Sequence, residues 1–78
     1  MEKKFSELTI HQKLELVIKE MVDREVQLKE ATKEFEKIFI ENTSRKYRGN
    51  KTKMAKAMGI HRNTLHSRAK SLRIKKLF

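Results

Sequence analysis

GNKTKMAKAMGIHRNTLHSRAK, residues 49–70, decides how this chain folds. Two short stretches of helical periodicity meet at Gly59, and the whole stretch carries six Lys/Arg and no carboxylate. Asn50 suits a helix N-cap, because its side-chain oxygen can accept from an unpaired N–H of the first turn. Gly49 suits the left-handed residue that closes the helix before it. KTKMAKAM (51–58) then places Met54, Ala55 and Met58 on one face, and Gly59 ends the helix. Ile60 turns inward, and RNTLHSRAKSL (62–72) resumes as another helix with Leu65, Ala69 and Leu72 inward. Two short helices joined by a three- or four-residue turn containing glycine make a helix-turn-helix. Ala55 stands four residues before Gly59, where the helices cross and a larger side chain would force them apart. Ile60 and Leu65 plug the angle between them.

Upstream of this stretch the pattern is helical as well. There is no proline, and the only glycines are Gly49 and Gly59. Thr9 followed by Gln12 fits a capping box ahead of an apolar series at Ile10, Leu14, Val17, Ile18 and Met21, a helix from about 9 to 24. A second series, Leu28, Ala31, Phe35, Ile38 and Phe39, marks a helix running to Tyr47. The joint around DREVQ holds no breaker, so the sequence leaves open whether the chain turns there or continues. The expected class is all-α with four helices per chain and no internal repeat. The tail from Arg73 is basic and expected to fray, with Ile74 as the last core contact.

At 78 residues the chain is near the size where one core is only marginally stabilising. Two amphipathic helices with wide apolar stripes cover themselves best when two chains meet in a four-helix bundle. Ile10, Leu14, Val17, Ile18, Met21, Phe35, Ile38 and Phe39 are therefore expected at a homodimer interface. The alternative is that they cover the C-terminal helices within one chain. The chain thus divides into residues 1–47 for pairing and residues 48–78 for the helix-turn-helix.

Charge separates the same two regions. The formal net charge is +10, and residues 1–41 hold eight Lys/Arg against ten Asp/Glu. Residues 42–78 hold twelve Lys/Arg and no acid. A solvated helix face mixes signs at i, i+4, whereas a one-signed field repels itself until a polyanion neutralises it. Without cysteine there is neither a disulfide nor a thiolate metal site, and a reducing cytoplasm is expected. No N-terminal run reaches signal-peptide or membrane-span length, and surface binding to a membrane would want large apolar residues opposite the basic face. His61 and His66, an i, i+5 pair, do not share a helix face and make no metal site. No nucleophile and acid cluster as an enzyme requires, and no cofactor or small-molecule substrate is implied.

With Leu65 inward at 100° per residue, Asn63, Ser67 and Lys70 point away from the core, and Thr64 flanks them. Arg62 stands on the first turn. Arg, Asn and Thr on the exposed end of a helix are the chemistry that reads base edges in a major groove, and surrounding cations hold phosphates. The partner expected is double-stranded DNA.

RGN, KTKMAKAMGIHRNTL and the preceding EFEKIFIENTSRKYRGN together resemble the C-terminal helix-turn-helix of the Fis family. That family includes a bacterial nucleoid protein and the DNA-binding domains of NtrC-type enhancer-binding activators. The resemblance covers roughly residues 28–75, and R-G-N, A-x-x-x-G-I and R-N-T-L are its specific parts. It implies a homodimer that presents two recognition helices to successive major grooves and bends the DNA between them. Arg62 would be the principal base reader, with His61, Asn63, Thr64 and Ser67 beside it. Asn50 and Thr52, at the start of the third helix, would hold phosphate, and from their charge alone Arg48, Lys51, His66, Arg68, Lys70 and Arg73 are expected to contact phosphate as well. The nucleoid member has Asn where His61 stands and Lys where Ser67 stands, so base preference does not carry across. Ala69 replaces a larger apolar residue.

Three functions follow from these residues. One is a cytoplasmic, nucleoid-associated transcription regulator. Another is the excised DNA-binding domain of a larger activator, whose ATPase would lie outside this chain because no phosphate-binding loop is present. A basic module for RNA or protein is the third, and it lacks the exposed aromatic residues that stack on single strands.

Overall fold

A computed structural model of the chain describes residues 4–74. After one 3-10 turn at Phe5–Glu7, four helices follow: α1 (Ile10–Asp23), α2 (Leu28–Tyr47), α3 (Lys51–Met58) and α4 (Arg62–Ser71). No strand occurs among the described residues. The all-α class with four helices is as the sequence pattern predicts. The short turn at Phe5–Glu7 was not legible in it, and the tail past Ile74 lies outside the described residues.

Each predicted N-cap has a bond to show. The Thr9 hydroxyl accepts from the Gln12 N–H at 3.1 Å while the Gln12 side chain accepts from the Thr9 N–H at 2.9 Å, completing the capping box. Asn50 accepts from the Lys53 N–H at 3.1 Å and starts α3. Along α1 polar side chains pair at i, i+4: His11 hydrogen-bonds with Glu15, and Lys19 with Asp23 and Glu20 with Arg24 form ion pairs.

DREVQ is a turn, so α1 and α2 are separate helices. Glu25 takes a left-handed φ of 57°, its N–H donates to the Val22 carbonyl, and the Val26 N–H reaches back to Met21. This is a Schellman closure, in which one left-handed residue lets two N–H groups satisfy carbonyls that the helix end leaves bare. The other helices close by the same device. Gly59, at φ 70°, ends α3, with Ile60 N–H donating to Ala55. Arg73, at φ 55°, ends α4, with Ile74 N–H donating to Ala69. In α2 the closing residue is Arg48 at φ 51°, one position earlier than Gly49, which is itself left-handed at 73°. Only one of the four closing residues is a glycine.

The chain divides into two compact units that meet in sequence between Ala31 and Thr32. In the first unit, α1 turns its apolar residues to solvent: Ile10, Leu14, Val17 and Ile18 are all exposed. In the second, α3 packs on α4 around Met54 and Leu65, which are fully enclosed, with Ala55 and Ala69 beside them. Ile40 of α2 belongs to this cluster, and Tyr47, Met58, Ile60, Leu72 and Ile74 pack at its edge. Ala69, which stands where the resembled family has a larger apolar residue, is buried.

Candidate nucleic-acid interface

Leu65 and Ala69 fix the roll of α4, because both are buried against the rest of the second unit. Every other residue from His61 through Lys70 is then exposed: His61, Arg62, Asn63, Thr64, His66, Ser67, Arg68 and Lys70. The face offered to solvent thus bears three cations, two imidazoles and three short polar side chains, with no acid of its own. Arg62 occupies the first helical position, where a long side chain extends beyond the helix end.

The turn that aims this helix is short. Gly59 takes its left-handed conformation with open space around the position of a Cβ, so its glycine is required by φ and not by crowding. His61 then caps α4: its Nδ1 accepts from the Asn63 N–H at 3.0 Å. The resemblance placed His61 beside Arg62 as a base reader but did not identify the cap. A ring nitrogen serves here where Ser, Thr, Asp or Asn is the usual choice.

The remaining basic positions lie around α3 and the helix ends. Arg48, Asn50 and Thr52 are exposed and Lys51 is half-buried. Asn50 has its side-chain oxygen committed to the cap of α3. Arg48 and Arg73 both close helices in left-handed geometry, so their side chains leave backbone that is bonded back onto the helix.

Arg68 has a partner that a reading of residues 42–78 alone misses. Its guanidinium stands 3.3 Å from the Glu36 carboxylate of α2. At 100° per residue Arg68 lies only about 60° from the inward direction of Leu65, so it leans toward α2 and not straight outward. The basic field therefore takes in a carboxylate, brought in from 32 positions upstream.

One missed signal was present in the chain. AKAMGI (55–60) and AKSLRI (69–74) end α3 and α4 in the same way, with Ala at the start, the left-handed residue fifth and Ile last. The echo is too short to be a structural repeat, but it marks Arg73 as the counterpart of Gly59. Among the described residues no group of three or more His, Asp or Glu is placed to hold a metal ion, and no helix is long and apolar enough to cross a membrane.

No curated protein and no solved structure matches the chain. The model of a family described as bacterial regulatory protein, Fis family, matches residues 31–72, more than half of the chain, which therefore belongs to that family.

Proposed function

We propose that this member of the Fis family binds double-stranded DNA as a homodimer, bends it and thereby regulates transcription. It acts in the cytoplasm at the nucleoid, by binding and not by catalysis. The observation that carries the reading is the exposed face of α4. Arg62, His61, Asn63, Thr64 and Ser67 stand there on a helix whose roll is set by buried Leu65 and Ala69. Arg62 reads a guanine edge through its two-pronged guanidinium, and the smaller polar residues read neighbouring bases. Arg48, Asn50, Lys51, Thr52, His66, Arg68, Lys70 and Arg73 bind phosphate and set the register.

Two identical chains are required because one chain leaves its apolar stripes open. Ile10 is 85% exposed, and Leu14, Val17, Ile18, Phe35, Ile38 and Phe39 are exposed as well, with Met21 half-buried. Apolar surface of this extent calls for cover, and pairing with a second copy supplies it. Phe35 and Phe39, with ring centroids 5.9 Å apart, form the aromatic centre of the α2 contribution.

Fluorescence anisotropy with duplexes obtained by site selection tests the reading. Arg62→Ala should cost about 1–3 kcal/mol and relax preference at one base position in each half-site. Lys70→Ala should weaken binding to all sequences alike and flatten its salt dependence. A selected site bound by Arg62→Ala as tightly as by the unaltered chain would overturn the assignment of α4.

A further inference from the structure

We propose that His61 reads DNA as a hydrogen-bond donor of fixed polarity, because its cap on α4 locks the imidazole in one tautomer. The inference deepens the reading of α4 as the base-reading helix and rests on it. Nδ1 accepts from the Asn63 N–H at 3.0 Å, so that nitrogen holds a lone pair. In a neutral ring the proton then sits on Nε2. Nε2 is joined to Nδ1 through Cε1 and its N–H diverges from the bond that Nδ1 makes to the backbone, and His61 is exposed, so the Nε2–H is directed away from the capped N–H.

A shorter cap would satisfy the helix equally well. Asn50 does so on α3 through its side-chain oxygen. What the imidazole adds is reach, together with a second nitrogen whose role is dictated by the first. The ring is also held in place before DNA arrives, so little side-chain freedom is lost on binding. It stands next to Arg62 at the end of α4 that the proposed function directs at base edges.

A lone donor in the major groove discriminates in a defined way. Guanine offers N7 and O6, adenine N7 and thymine O4 as acceptors, whereas cytosine offers only its N4 amino donor. His61 therefore disfavours cytosine at the base it faces, by roughly two- to tenfold for a single hydrogen bond.

Two measurements test this on the intact chain. The first is long-range ¹H–¹⁵N NMR of the histidine rings in the free protein, which should show Nδ1 of His61 unprotonated and Nε2 protonated. A ring protonated at Nδ1 would overturn the proposal. The second is a panel of duplexes varying each base position, bound by the unaltered chain and by His61→Ser. Serine retains a capping oxygen but cannot reach the base. His61→Ser should unfold at a temperature close to that of the parent and lose discrimination against cytosine at one position per half-site. If it kept that discrimination, or lost affinity equally for all four bases, His61 would not be reading a base. If the unaltered chain bound no duplex at all, the proposed function itself would fall, whatever tautomer the ring adopted.

Discussion

Gly59 shows how a single residue sets the direction of α4. Its φ of 70° is one that a side chain makes costly, yet nothing stands within 4 Å of where a Cβ would lie. Gly59→Ala should therefore cost about 1 kcal/mol, the conformational strain less the entropy removed from the unfolded chain. Gly59→Asn should cost less, since asparagine visits this conformation more readily. Urea unfolding followed by circular dichroism measures both. A loss of several kcal/mol for the alanine variant would mean that crowding, and not φ, demands glycine. At His61 the lesson is different. The residue type suggested a polar contact, and only the bond to Asn63 shows that half of the ring is spent on the cap.

Helix ends carry most of what is unusual at the scale of elements. Glu25, Arg48 and Arg73 occupy a left-handed conformation that each pays for with strain of roughly 1–2 kcal/mol. At the turn between α1 and α2 no glycine is present to lower it. Glu25→Gly should raise stability by up to about 1 kcal/mol, seen as a higher urea midpoint with an unchanged slope. No gain would imply that the glutamate side chain makes a compensating contact. The pairing of α4 with α2 through Arg68 and Glu36 has its own consequence. Both side chains are at least one-third exposed or nearly so, at 59% and 33%, so the ion pair adds little to stability. Under the proposed function its weight falls on DNA binding, because the carboxylate partly neutralises a cation that would hold phosphate. Glu36→Gln should tighten binding to all duplexes and steepen the dependence of log K on log salt by about one per chain. An unchanged slope would show that Arg68 stays out of reach of the backbone.

Across the whole molecule, apolar exposure and charge sit in different parts of the sequence. Apolar residues in α1 and α2 are open to solvent, and the excess of cations lies past Glu41. Under the proposed function these are two surfaces with two partners, a second copy and a polyanion. Sedimentation equilibrium at micromolar concentration should give twice the 9.3 kDa of one chain. Phe39→Asp should return it to monomer and weaken DNA binding while leaving the helix content intact, since Phe39 is half exposed and outside the buried cluster. A parent chain that sediments only as monomer would remove the paired bundle.

Much of this protein is legible without coordinates, for a physical reason. Capping at Thr9 and Asn50, the inward set of Met54, Ala55, Leu65 and Ala69, and the glycine turn all arise from interactions within about five residues. Such short-range bonds leave their mark as spacing, so residue order alone determined the helical class, the helix-turn-helix and the roll of α4, while the break between α1 and α2 at Glu25 came only from the structure. The left-handed residues were legible only where they are glycine. Any side chain can enter that conformation when hydrogen bonds and packing outweigh modest strain, as Arg73 does with Ile74 set against the core. The approach of Glu36 to Arg68 was hidden altogether, because it joins residues far apart in the chain and depends on how α4 is turned against α2. The sequence by itself determined which residues face outward from the helix-turn-helix. Tertiary structure decided that Arg68 is already engaged by a carboxylate of α2, whereas the cap that engages His61 is as local as those at Thr9 and Asn50 and went unread because histidine is an unusual cap.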